Sequence, residues 1–517
     1  MSIFSGIRSL VYLAEITYFD TTEKTLYAGT HGYTTEPTDT PANQFFEPLI
    51  ESPMLYAMNA WEQNGQTSRS GHGELRLINT EGQLNFLADC ALDGRAFRMM
   101  CAYEDDDYAT FKRNTLMAGT MTTPQWEDDI VVIQLKDKTA IFERPFQPTL
   151  YTGANVLPAG IEGNTDLKDT RKPYLLGRAL NIAPPNVNTS SLIYQVSSGA
   201  ITDVSAVYAG GVELTKGNNY TSQADMEANA PTAGAYRVWL AGGCFRLGSD
   251  PVKLVTCDAT EGADTAARSP AQLIKRAVQF ADSTVLISQP DITALAADAP
   301  YESGLWINNN ETALDVIDSL ATGAGAWWTF DATGHFRAGQ LKSPNAQTPV
   351  TTLTAIEILD DRGIERVSTG DGPDGLPPNE IRLRYGKNYT VQTNDLFGAV
   401  TQTRKTWLEK DFRTLAVSSS TVKTKYLLSG SIERETPILL QADATTEANR
   451  LKALRCQRRD TVRLTVQVSP DIQAVLIVGA VIELQYPRYG YDAGRKMVIT
   501  GIEHDARIGL FTLTLWG

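Results

Sequence analysis

The stretch Phe511-Thr-Leu-Thr-Leu-Trp516 alternates apolar and polar residues without a break, which is the period of a half-buried β-strand. Shorter segments of this kind recur along the chain, parted by clusters of glycine, proline, asparagine and aspartate. A chain built this way folds by pairing distant strands, so a mainly β protein is expected. In the first part, strands are expected over residues 10–19, 25–29, 73–79, 97–103 and 130–135. Further strands are expected over 192–196, 203–208, 236–240 and 253–256, with Val207-Tyr-Ala-Gly-Gly-Val212 as two strands joined by a tight turn. Toward the end come 380–385, 389–393, 462–468, 481–486, 496–502 and 511–516. A closing strand implies that the end of the chain is tied into a sheet.

Helical spacing interrupts this pattern in the middle. Ser269-Pro270 suits an N-cap and first helical residue, and Leu273, Ile274, Ala277, Val278 and Ala281 then make one apolar stripe. Asn310 is a candidate cap for a second helix, with Leu314, Ile317 and Leu320 on one face and Gly323 at its end. Trp327 to Phe330, the turn Asp331-Ala-Thr-Gly334 and His335 to Leu341 spell a hairpin. A third helix is expected over 443–456, with Ala444, Ala448, Leu451 and Leu454 inward. Residues 151–170 and Asp371-Gly-Pro-Asp-Gly-Leu-Pro-Pro378 are dense in helix and strand breakers and are expected to be loops.

The 517 residues suggest about three or four domains at roughly 150 residues each. The expected division is 1–150, a β-barrel; 151–256, an inserted β domain; 257–345, a small α/β domain; and 346–517, a domain containing a second β-barrel. With 42% hydrophobic and 21% charged residues, the composition is that of a folded protein, which excludes a disordered, collagen-like or coiled-coil plan. Lysine and arginine number 46 against 60 aspartates and glutamates, a net charge of −14. Stable binding to a phosphate backbone needs a basic face, so no stable nucleic-acid binding is expected. The most apolar run, 474–484, falls short of the ~20 residues a membrane span needs, and the first residues are too short and interrupted for a signal peptide. Cys90, Cys101, Cys244, Cys257 and Cys456 have no CxxC spacing and are expected to be free thiols of a protein made in reducing cytoplasm.

No stretch carries a catalytic signature. Glu104-Asp-Asp-Asp107 could offer carboxylates to calcium, but adjacent side chains point apart, so a solvated acidic loop is expected. His31, His72, His335 and His504 lie in no HExxH or HxH spacing, and there is no GxSxG elbow. The glycines at 209–211 and 241–243 form no phosphate-binding pattern. Paired carboxylates for a glycosidase are neither indicated nor forbidden by an acidic chain. Arg450, Lys452, Arg455, Arg458, Arg459 and Arg463 suggest one local basic patch without aromatics, suited to a subunit contact or a solvated helix face. Of Trp327 and Trp328, one ring is expected in the core and the other at a surface or interface. No catalytic, cofactor-binding or metal residues are therefore assigned, and no cofactor is expected.

Several stretches, taken in order, resemble the baseplate hub or tail tip hub proteins of long-tailed bacteriophages and gene transfer agents. They are Asp93-Gly-Arg95 with 97–101 and Met117-Ala-Gly-Thr120, then Lys168-Asp-Thr-Arg-Lys-Pro-Tyr174 with Gly177-Arg178. Tyr194-Gln195, Val207 to Val212, Phe245-Arg-Leu-Gly248 and Val255-Thr-Cys-Asp258 follow. Gly325-Ala-Trp-Trp-Thr-Phe-Asp331 with Gly334, Tyr486-Pro-Arg-Tyr-Gly490, Gly501-Ile502, Asp505 and Thr512 to Gly517 complete the order. The resemblance implies two small hub-type β-barrels with inserted domains, and a homotrimer whose six barrels match the six-fold tail tube. It implies the tail tube, tape measure protein, distal tail protein and central tail fibre as partners, a place in the virion at the tail tip, and passage of DNA through the channel. No residues match the lysozyme or peptidase domains that some members carry. The competing functions are a virion-associated glycosidase or depolymerase and a carbohydrate-binding tail adhesin.

Overall fold

Alternating stretches become strands wherever a partner covers their apolar face. The computed structural model describes residues 9–59, 69–136, 138–331, 333–359, 364–369, 375–468, 472, 475–505 and 510–517. The N-terminal strands are β1 (Leu10–Phe19), β2 (Glu23–Gly29), β3 (Ile50–Asn59), β4 (Arg69–Ile78), β5 (Ala96–Tyr103), β6 (Thr115–Met121) and β7 (Ile130–Lys136). A short helix, α1 (Tyr108–Arg113), bridges β5 and β6.

The middle of the chain contributes β8 (Tyr174–Ile182), β9 (Asp203–Ala209), β10 (Val212–Glu213), β11 (Val255–Thr260) and β12 (Gly304–Ile307), paired in the order β10-β9-β11-β8-β12. A second five-stranded sheet includes Ile193–Gln195, Cys244–Leu247 and Ala235–Trp239. Val204, Val207, Tyr236, Phe245 and Cys257 fill the space between the two. Gly210 and Gly211 both take positive φ, and Ala209 pairs with Val212, so the two-glycine turn forms as its sequence requires.

Next come α2 (Pro270–Ala281), α3 (Gln289–Asp298), α4 (Ala313–Ala324) and the hairpin β13 (Ala326–Phe330) with β14 (Phe336–Gln340). The α2 stripe of Leu273, Ile274, Ala277 and Val278 is buried against Ile317 and Leu320 of α4 and against Trp328 and Phe336. Helix ends depart from expectation. Ser269 and Pro270 do stand at the N-cap and first position of α2 as expected, but the Ser269 hydroxyl makes no capping hydrogen bond and is buried without a partner. Thr312, not Asn310, caps α4 through a capping box with Asp315, because the Asn310 side chain is taken by Arg171. The helix runs past Gly323 and ends at Gly325.

The last part supplies β15 (Ile364–Thr369), β16 (Glu380–Tyr385), α5 (Gln402–Leu408), β17 (Arg413–Ser418), β18 (Ser431–Glu435), α6 (Gln441–Arg455), β19 (Arg459–Val466), β20 (Val481–Tyr486), β21 (Tyr491–Asp505) and β22 (Leu510–Trp516). Strands β17-β16-β18 form a small sheet covered by α6, with Ile381 and Leu383 against Ala448 and Leu451. The strand expected over 389–393 does not form. Asn388 occupies the backbone there: its amide donates to the carbonyls of Leu408 and Lys410 and accepts from Thr390 N–H. Of the breaker-rich run, 371–374 lie outside the described residues, and 375–378 belong to an irregular connection.

The two expected barrels are not closed by strand pairing among the described residues. One ladder runs β2-β1-β5-β6-β7-β4-β3-β21-β22-β19-β15 and is open at β2 and β15. The seam is β3 against β21, from Asn59 opposite Gly501 to Leu55 opposite Asp505. The reason lies in strand length. β21 has 15 residues and β20 only 6, so half of β21 extends beyond its hairpin partner and takes β3 instead. Each half curls back on itself through isolated bridges, Ala28 with Glu47 at the N-terminal end and Ile358 with Val466 at the C-terminal end. Ile16, Leu77 and Ile133 share one buried cluster with Leu464, Ile499 and Leu513. The fold is mainly β, with several sheets and a minority of helix.

Candidate assembly surface

The acidic run serves the backbone. Asp107 accepts from Thr110 N–H at 2.8 Å and caps α1, and Asp106 accepts from Tyr103 N–H at 3.0 Å. The hydrogen bonds from Thr110 hold the Asp107 carboxyl below its ordinary range. Among the described residues no group of three His, Cys, Asp or Glu side chains is placed to hold a metal ion. His31 is exposed beside Thr30, His335 sits in the Asp331 turn against Thr333, and His504 is buried with its ring stacked on Phe511 at 4.0 Å. The His72 side chain lies outside the described residues. All five cysteines are free thiols, and burial pushes Cys244 up to about 12.

The arginine run is not one patch. Arg450 turns inward to Glu447 at 2.7 Å, Arg455 and Arg459 are buried, and Arg463 pairs with Glu503 at 2.9 Å. Arg458 is exposed like Arg463 and stands 3.9 Å from Asp460. The run crosses from helix to strand, so its side chains change period and scatter over several faces.

Distant residues converge on Asp460 instead. Its carboxylate, 1% exposed, accepts from Arg366 at 2.9 and 3.1 Å, from Arg495 at 2.8 Å and from the Tyr491 hydroxyl at 3.1 Å. Sheet pairing brings this about, since β15 lies on β19 with Ser368 opposite Asp460, and the β20–β21 hairpin delivers Tyr491 and Arg495. No local signal marks the cluster, whose residues come from β15, β19 and β21, far apart in sequence.

Other stretches singled out in the sequence also act as joints. Arg178 and Arg268 share the buried carboxylate of Glu302, at 3.5 and 2.7 Å. The two-glycine turn receives residues 396–408: a Cβ on Gly211, whose φ is +82°, would stand 2.9 Å from Leu396 Cδ2 and 3.0 Å from Val400 Cγ2. Arg404 of α5 lies over the rings of Tyr208 and Trp407, at 4.1 and 4.6 Å, and donates to Asn181. Gly211→Ala should cost about 1–3 kcal/mol through strain and overpacking and free this strap. Limited proteolysis should then cut near residue 396 faster than in the parent chain; equal rates would refute it.

Trp328 is in the core, against Phe142 and Phe336, and Trp327 is half-buried against Gly339 and Gly479, so the pair offers no open platform. Trp328 Nε1 donates to Asp318 at 2.7 Å. Burial pushes the Asp318 carboxyl from the ordinary 3.8 up to about 7, against the pull of that hydrogen bond. The folded chain thus holds this proton more tightly than the unfolded chain. Its contribution to stability is complete below the unfolded value of 3.8 and is lost as pH rises through 7. Asp318→Asn should remove that decline, so its melting temperature should gain on the parent between pH 5 and pH 8, at up to about 1.4 kcal/mol per pH unit. Buried His504, held near 4, has the opposite sign and cancels in the comparison. Parallel pH profiles would exclude the role given to Asp318.

Among the described residues, no helix is long and apolar enough to cross a membrane. No family model matches the chain, and no curated protein matches it. In structure it is similar to tail proteins, two of them from prophages, over nearly its full length. The 43 kDa tail protein of prophage MuSo2 from Shewanella oneidensis is 8% identical, with 98% of each chain covered and a TM-score of 0.40. A tail protein from Neisseria meningitidis MC58 is 8% identical, covering 98% of this chain and 96% of that one at a TM-score of 0.42. A chain from the virion of a native gene transfer agent particle is 15% identical, covering 73% of this chain and 91% of that one at 0.43.

Proposed function

We propose that the chain is a structural subunit of a phage tail, the trimeric hub at the tail tip or baseplate that closes the tail tube. The observation that carries the reading is the seam between β3 and β21, which joins two curled, strand-rich ends of one chain into a single ladder. Two such units per chain are what a three-copy ring needs in order to present six units to a six-fold tube. In this reading residues 1–150 and 346–517 act as the two barrel-like ring units, and 151–256 and 257–345 are the inserted domains. The order of the hub-like sequence stretches over most of the chain supports the same assignment.

The partners are then the tube above, the tape measure protein within, and the distal tail protein and central fibre around and below. DNA passes through the channel without stable binding, as suits a net charge of −14. The chain performs no chemical reaction in this role; its buried charged residues serve as joints. Particles imaged by electron cryomicroscopy with this chain tagged should show three copies at the tail tip. Density confined to side fibres, or one or six copies at the tip, would overturn the proposal.

A further inference from the structure

Resting on the hub reading, we propose that the Arg–Tyr surface around the 486–491 hairpin is where one copy of the chain docks onto an acidic face of a second copy. The hairpin tip holds Tyr489 at φ +61° and 46% exposed. A bulky aromatic in the left-handed region is a backbone outlier, and such strain persists where the surroundings or a function demand it. Arg366 lies 5.7 Å from the rings of both Tyr489 and Tyr491, and Arg495 lies 5.6 Å from Tyr491.

Asp460 fixes both guanidiniums from beneath, so the outer surface is pre-organised. Arg458, 52% exposed, and exposed Arg488 flank it. Beside them is a polar cavity of about 360 Å³ lined in part by Arg458, Arg495, Lys496 and Glu483. The cations here stand against Asp460, and Lys496 lies opposite Glu483 across the β20–β21 pair, while Arg495 also donates to the oxygen of Gly517 at 2.8 Å.

Positive charge therefore gathers here on a chain whose net charge is −14, which leaves its other faces the more acidic. Tyrosine and arginine are the residues that dominate interface energies when held in place. A basic face meeting a different, acidic face of the same chain is a head-to-tail contact, and such contacts form a ring when the rotation between copies closes. Charge complementarity thus selects a second copy as the occupant.

The test places a photo-crosslinking benzophenone amino acid at position 489 of the full chain during particle assembly. The expected products are chain dimers and trimers, with the linked peptide rich in aspartate or glutamate. Links to another tail protein, to DNA, or back into residues 370–374 of the same chain would overturn the inference, as would no link with three copies present at the tip. Absence of the chain from the tip of unaltered particles would instead refute the hub reading itself. In a second arm, Arg458→Glu with Arg488→Glu should lower the yield of particles with complete tips at least tenfold. Arg458→Lys with Arg488→Lys should restore it, with all monomers melting alike. Normal yields from the glutamate pair would overturn the inference.

Discussion

A chain that lacks residues 510–517 should be recovered only as aggregate. β22 is not an edge strand: it lies between β19 and β21, with Leu513 opposite both Leu464 and Ile502. Its removal opens two sheet edges at once and leaves backbone donors and acceptors of both neighbours unpaired. Phe511, Leu513, Leu515 and Trp516 are all buried. At roughly 1.5–3 kcal/mol for each apolar side chain buried, their loss alone rivals the ~5–15 kcal/mol by which a typical domain is stable. The check is the soluble fraction after expression at matched levels. A soluble shortened chain with a single cooperative melt would show that β22 is dispensable.

The second large effect is expected at Arg450. Glu447, on the inner face of α6, is wholly buried, and its carboxylate accepts from Arg450 at 2.7 Å and from the Tyr301 hydroxyl at 3.0 Å. Arg450 also donates to the Leu341 carbonyl at 2.7 Å and so ties α6 to the end of the β13–β14 hairpin. Arg450→Met should cost about 3–5 kcal/mol, because it strands a buried carboxylate with a single hydroxyl donor. Arg450→Met combined with Glu447→Gln should recover most of that loss, since the charge is then gone from both sides. Denaturant unfolding of the three chains measures it. A single variant within about 0.5 kcal/mol of the parent, the scatter of ordinary surface changes, would refute the joint.

What was legible in the sequence is what neighbouring residues decide among themselves. The strands over 10–19, 380–385 and 481–486 form with those bounds, the α2 stripe and the inner face of α6 are buried as their spacing implies, and Gly210-Gly211 turns the β9–β10 hairpin. Alternation, helical period and turn chemistry act over a few residues, so they survive without knowledge of the rest. Even these yield where a distant side chain competes. Arg171 takes Asn310 from its expected cap, and Asn388 takes the Thr390 N–H that a strand over 389–393 would need. The tertiary structure alone decided that the two ends of the chain share one ladder through β3 and β21, and that Arg450, Arg455 and Arg459 turn inward while Arg458 stays out. It alone brought Arg366 and Arg495 onto Asp460. Strand partnership and the burial of charge are settled by contacts between residues far apart in sequence, and the period of a segment carries no record of which segment will lie beside it.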